Sequence, residues 1–111
     1  MNTLHEDETA ERLPLGNLSV LQKRRGYRFS IDALLLADYI RLRPGSRAME
    51  LGSGSGVISL MLAAREERAA IWGIDIQDEM VDMSNRSAVL NKMDERVSFS
   101  RQDVREIRRH F

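Results

Sequence analysis

The chain has 111 residues, of which 42% are apolar and 31% charged, a composition that suits one globular core and is too apolar for a disordered segment. It holds no cysteine, which excludes disulfides, thiolate metal sites and cysteine nucleophiles, and its 17 basic residues balance 17 acidic ones, so net charge singles out no nucleic-acid or membrane partner. No apolar run approaches the ~20 residues of a membrane helix, and the acidic opening is unlike a secretory signal, which together suit a cytoplasmic protein with no membrane partner.

Residues 1–12, with Glu6, Asp7, Glu8 and Glu11 against Arg12 alone, read as a flexible leader. Residues 13–45 read as an N-terminal hairpin and helix. Leu13, Leu15, Leu18, Val20 and Gln22 alternate around Gly16-Asn17, the pattern of a short hairpin, and Arg24-Arg25-Gly26 is a turn. Ser30 stands at a helix N-cap with Asp32 in the first turn, where negative charge favours the dipole. The helix is expected to run to about Arg41, with Ile31, Leu34, Leu35, Ala37 and Ile40 on its buried side, and Arg43-Pro44-Gly45 stops it.

From residue 46 to 111 the rhythm changes. Ala48–Leu51 is a buried-strand candidate running directly into Gly52-Ser53-Gly54-Ser55-Gly56, and a helical pattern from Val57 closes at Arg65-Glu66. A second strand, Ala70–Ile74, carries Trp72 as a core residue and meets Asp75. A second helix follows, about Asp78 to Asn91, with Met80, Val81, Ala88 and Leu90 as core contacts. Val97–Ser100 is a third strand, leading through Gln102-Asp103 into a basic helical stub. Short connections in this order imply right-handed crossovers and a parallel sheet, the first half of a doubly wound, Rossmann-like α/β fold. Parallel sheets have about five or six strands covered on both faces. Three strands therefore read as the front portion of a larger domain, with an open sheet edge suited to self-association.

The glycine loop can be sorted by spacing. No lysine follows it, as a P-loop requires, and its middle position is Gly54 rather than the serine of a nucleophile elbow. Gly56 follows Gly54 by two residues, where a dinucleotide fingerprint needs three. Gly-x-Gly-x-Gly after an acidic strand end is the form of S-adenosylmethionine sites. Asp75, 19 residues after Gly56, stands where a carboxylate accepts from both ribose hydroxyls, an arrangement that alone also suits NAD. Asp103, after the third strand, stands where a carboxylate accepts from an adenine amino group, and Glu50 lies close to the place of the methionine ammonium. Three carboxylates suit a cationic sulfonium and would repel a pyrophosphate. The plain alternative for each acid is a helix cap or surface charge.

The segment from Gln22 through Gly26, Ser30 and Asp32 to Ala37, followed by Glu50-Leu-Gly-Ser-Gly-Ser-Gly56, resembles the amino-terminal half of bacterial tRNA (adenine-N6)-methyltransferases, over roughly Leu13 to Arg109. The resemblance implies a class I Rossmann-like methyltransferase fold, S-adenosyl-L-methionine as methyl donor and tRNA as substrate. By position, Gly52, Ser53, Gly54 and Gly56 would line the methionine portion with Glu50 in support, and Ser30 would lie near the methionine carboxylate. Asp75 would hold the ribose, Ile76 would pack on the adenine and Asp103 would contact its amino group.

One departure matters. The family's catalytic Asn-Pro-Pro-Tyr/Phe motif follows a fourth strand, and the prolines here, Pro14 and Pro44, are not in that setting. With no residue to position the target amino group, the expectation for these residues alone is cofactor binding without methyl transfer. Lys23, Arg24, Arg25 and Arg28 open a segment, 23–47, with seven basic residues against two acidic, and are candidates for an RNA backbone. His5 and His110 lack ligand-spaced partners, so no metal site is read. The competing readings are a class I methyltransferase acting on protein glutamine or a small molecule, and a non-catalytic adenosyl-binding or interaction module.

Overall fold

A computed structural model of the protein describes residues 4–13, 18–25 and 31–109. Along them run β1 (Glu8–Arg12), β2 (Ser19–Lys23), α1 (Ile31–Tyr39), β3 (Arg47–Leu51), α2 (Val57–Arg65), β4 (Ala70–Asp75), α3 (Asp78–Leu90), β5 (Val97–Arg101) and a closing 3₁₀ helix (Val104–Arg109). The two-residue period of the strands sorts the parallel sheet β3-β4-β5 into unlike faces. Ile71, Val97 and Phe99 turn into a core shared with Val57 and Leu60 of α2 and Ala88 of α3. The row Met49–Trp72–Ser98, paired across the strands, points the other way. Met49 and Trp72 are each 37% exposed, so Trp72 is not the core residue expected of it. Its indole N–H donates to Ser100 Oγ at 2.6 Å.

Of the two sheet edges, that of β5 is closed at Phe99. The Asn85 side-chain amide of α3 accepts from Phe99 N–H and donates to Phe99 C=O, each at 2.9 Å, in place of a strand partner. Along β3 the outer edge has no ladder partner among the described residues.

The hairpin begins earlier than the charge pattern suggests. Residues 8–12, assigned to a leader, form β1 and pair antiparallel with β2, from Glu8 opposite Lys23 to Arg12 opposite Ser19. Glu8 is 2% exposed. Its carboxylate accepts both terminal nitrogens of Arg86 on α3, at 2.7 and 2.6 Å, and the His5 amide at 3.0 Å. The outer edge of β2 is satisfied by side chains of α3 and of Asn91, which caps it: Leu21 N–H donates to Ser87 Oγ and Ser19 N–H to Asn91 Oδ1, both at 2.9 Å. A helix thus stands in for a third strand.

In α1 only Ala37 is fully buried, with Leu34 and Ile40 partly covered against the core. Ile31 and Leu35, expected on the buried side, are 69% and 62% exposed. The helix ends at Tyr39, where the Arg65 guanidinium of α2 donates to the carbonyls of Ala37 and Ile40 and takes up acceptors a helix end leaves free. On α3 the buried stripe is Met80, Met83, Ser84, Ser87 and Ala88, while Leu90 is exposed. The Gly16-Asn17 turn, Gly26 and the Ser30 cap lie outside the described residues. Among those described, no helix is long and apolar enough to cross a membrane.

Candidate functional site

Because β3, β4 and β5 are parallel, their carboxyl ends fall on one side of the sheet, the side on which open α/β sheets bind ligands. Glu50, Asp75 and Asp103 are all brought there, each at or just beyond the end of its own strand. The glycine loop folds back over the end of β4: Gly52 N–H and Ser53 N–H both donate to Ile74 C=O at 2.8 Å. This reversal puts Gly52, Gly54 and Gly56 at φ of 73°, 56° and 83°, the left-handed region that costs an L-residue with a Cβ about 1–2 kcal/mol. A Cβ at Gly52 or Gly54 would meet nothing within 4 Å, so the loop's backbone faces open space. At Gly56 it would meet Phe99 Cζ at 2.8 Å, which makes that glycine a packing requirement as well.

Asp75 ties the loop to the next element. Its Oδ2 accepts Gly54 N–H and its Oδ1 accepts Gln77 N–H at the start of α3, both at 2.9 Å. A carboxylate has about four acceptor positions, so one on each oxygen remains for a ligand. Ser84 of α3 donates to Gly54 C=O at 2.9 Å and steadies the loop from below. Ile76, beside Asp75, is 51% exposed and presents an apolar surface at the same rim.

Glu50 is turned inward. It accepts a 2.6 Å hydrogen bond from Ser59 of α2, a fully buried hydroxyl. Burial pushes its carboxyl above the usual glutamate range, the Ser59 hydrogen bonds oppose that shift, and the Asp75 charge adds to it. A cation placed here would relieve that unfavourable charge. Ser53 and Ser55 are buried in the loop with hydroxyls that have no hydrogen-bond partner. Buried polar groups are almost always paired, so these two fit a loop whose complement is a ligand or water.

Asp103 stands at the rim with its carboxylate already engaged. Its carboxylate is held by Arg105, whose Nε lies 3.1 Å from both oxygens, whose Nη2 lies 2.7 Å from Oδ2 and whose amide lies 2.9 Å from Oδ1. Those contacts, the side-chain hydrogen bonds first, lower the Asp103 carboxyl to about 2. Ser30 and Arg28 lie outside the described residues. Of the basic candidates, Lys23 is paired with Asp7 at 2.6 Å and Glu79 at 3.2 Å, while Arg24 and Arg25 are exposed. Among the described residues no group of three His, Asp or Glu is arranged to hold a metal.

The supporting residues Ser59, Ser84 and Arg105 were not evident from the motif. A signal existed for Ser84: it falls on the buried stripe of α3 with Met80 and Ser87, where a small polar residue marks a close backbone approach.

Known proteins similar to this chain are methyltransferases. A tRNA1(Val) (adenine(37)-N6)-methyltransferase of Yersinia enterocolitica is 27% identical over 88 residues, covering 78% of this chain and 35% of that protein. The chain thus spans about a third of the length of the curated relatives it matches. Among solved structures, an S-adenosylmethionine-dependent methyltransferase from Geobacter sulfurreducens in complex with S-adenosyl-L-homocysteine superposes with a TM-score of 0.58 at 28% identity, over 68% of this chain and 30% of that one. TrmN from Thermus thermophilus superposes with a TM-score of 0.58 at 27% identity, over 73% of this chain and 24% of that one. The three-stranded parallel sheet with its helices is thus a partial Rossmann-like fold of the class I methyltransferase kind. The profile of the methyltransferase-domain family matches residues 42–111, the span that holds the parallel sheet, the glycine loop and all three carboxylates, and the chain belongs to that family.

Proposed function

We propose that this chain is the S-adenosyl-L-methionine-binding part of a methyltransferase that methylates N6 of an adenine in tRNA. The observation that carries the cofactor reading is the Asp75 carboxylate, which fixes the glycine loop through Gly54 and keeps an acceptor position on each oxygen for the ribose hydroxyls. The open space over Gly52 and Gly54, the orphan hydroxyls of Ser53 and Ser55 and the unfavourably buried Glu50 fit a ligand that carries both a sulfonium and an ammonium. Gly56 shapes the loop, Ile76 offers the adenine an apolar face, and Asp103 is its amino-group acceptor. Ser30, for the methionine carboxylate, remains part of this proposal from sequence alone.

The tRNA reading rests on the named activity of the curated relatives together with the exposed Arg24 and Arg25. Methyl transfer requires groups that hold the target amine, and these residues contain no Asn-Pro-Pro-Tyr/Phe. The reading given to these residues is therefore the cofactor half of the reaction.

Calorimetric titration with S-adenosylhomocysteine tests the cofactor site. Asp75→Ala is expected to weaken binding at least about tenfold, equivalent to about 1.4 kcal/mol. Equal affinity in both proteins overturns the assignment. Filter binding of a tRNA transcript, weakened by charge reversal at Arg24 and Arg25 and falling steeply with salt, separates the tRNA reading from a small-molecule or protein substrate.

A further inference from the structure

We propose that Arg105 is an intramolecular competitor of the adenine base: its guanidinium occupies the Asp103 carboxylate and must swing away before an adenosyl ligand can seat there. The inference rests on the reading of Asp103 as the adenine contact and adds a residue that controls it. Its basis is a contrast between two carboxylates on one rim. Asp75 accepts one backbone amide on each oxygen and keeps an acceptor position free on both. Asp103 receives three N–H groups of Arg105, the amide on Oδ1, Nη2 on Oδ2 and a single Nε–H shared between the two oxygens, so the guanidinium crowds the side of the carboxylate that Asp75 leaves free. An adenine amino group therefore has to compete with the guanidinium for Asp103 while the fork is closed.

The fork is built to open. The Arg105 side chain is 86% exposed against 21% for Asp103, so a released guanidinium passes directly into water without stranding a buried charge. The Arg105 amide stays on Oδ1 and keeps the carboxylate aimed while the side chain leaves. Water around the Arg105 end of the pair screens it, which keeps the cost of exchange modest. Arg105 thus trims affinity rather than abolishing it. It also favours ligands with an N–H donor at this edge of the purine, since only a donor can replace a donor on Asp103.

The test is a double-mutant cycle on the 111-residue chain, read by calorimetry with S-adenosylhomocysteine and with its 6-unsubstituted purine analogue, which has neither the amine nor an N1–H. Arg105→Ala is expected to tighten S-adenosylhomocysteine by about threefold to fivefold. The same change gives no gain in an Asp103→Ala background and none for the 6-unsubstituted analogue. Asp103→Ser, which keeps a side-chain acceptor for the Arg105 amide, replaces Asp103→Ala if circular dichroism shows the alanine variant loosened. Unchanged or weaker binding by Arg105→Ala, with Asp103→Ala still weakening S-adenosylhomocysteine, overturns the competitor and leaves the Asp103 contact standing. A gain that persists without Asp103 also overturns it, because Arg105 then acts elsewhere. If removing Asp103 leaves S-adenosylhomocysteine affinity untouched, the adenine contact and the competitor fall together, whereas the Asp75 comparison still reports on the cofactor site by itself.

Discussion

Replacing Glu8 by glutamine removes one charge from a place where its loss is expensive. Glu8 is 2% exposed and joined to Arg86 through two hydrogen bonds of 2.6 and 2.7 Å, so the substitution strands a guanidinium against a neutral amide. Breaking a buried pair from one side costs about 3–5 kcal/mol. Arg86 retains Asp82 at 2.9 Å and is 18% exposed, which brings the expected loss down to about 2–3 kcal/mol. In a domain of about 100 residues that lowers the melting temperature by roughly 8–20 °C. Arg86 holds the Glu8 carboxyl below the ordinary glutamate range. The wild-type advantage is therefore complete above that range and shrinks as pH falls through the lowered folded-state value. Thermal and urea unfolding of both proteins at pH 7 and near pH 3, followed by circular dichroism, measure this directly. A difference below about 0.5 kcal/mol at pH 7, the level of an ordinary surface substitution, would refute the claim that the ion pair docks the hairpin. So would a difference that does not change with pH.

Gly73→Ala is expected to destabilise by about 1–3 kcal/mol through overpacking, because its Cβ would lie 2.4 Å from Phe99 Cδ1 and 2.9 Å from Ser53 Cβ; Phe99→Leu in the same chain should recover part of the loss in urea titrations. Ser87→Ala leaves the buried Leu21 N–H without its acceptor and should cost about 1–3 kcal/mol by the same measurement, with the hairpin amides losing exchange protection first. Glu50→Gln acts in opposite directions on stability and affinity. Burial raises the Glu50 carboxyl, so the ionised form costs stability as pH rises past the ordinary glutamate range, and the amide should melt higher at pH 7 and equally in acid. The same variant should weaken S-adenosylmethionine at least about tenfold, since a charge-assisted contact to the ligand is lost; unchanged affinity would remove Glu50 from the site.

The order of the five central elements, from β3 to β5, was legible because each carries its own local period and the glycine loop marks the strand-to-helix junction. What failed did so for want of a partner in view. Glu8 looks like one acid in an acidic leader until Arg86, 78 positions away, is brought beside it. Trp72 reads as core when a parallel strand is assumed to be covered on both faces, but α2 and α3 lie over one face, and its register row with Met49 is on the other. In α1 the run Leu34-Leu35-Leu36 supplies apolar residues all around the helix, so periodicity cannot choose which of them meets α2. At the rim, the positions of Glu50, Asp75 and Asp103 followed from the strand ends. That Asp103 would be held by a residue two places further on depends on side-chain rotamers rather than on spacing.

Strand order in the parallel sheet follows chain order, so each strand finds its neighbour already made when it appears. On a ribosome, β4 can join β3 once α2 has closed between them, and β5 can then join β4, with no rearrangement of what came before. The hairpin is the exception. Glu8 must wait for Arg86, 78 residues further along, which at ordinary translation speeds of about 5–20 residues per second is roughly 4–16 s. Through that interval Val20 and Leu21 have no helix to cover them and Glu8 lacks the Arg86 guanidinium. β1 and β2 are thus seated long after they are synthesised, and the docking of α3 is the event that completes them.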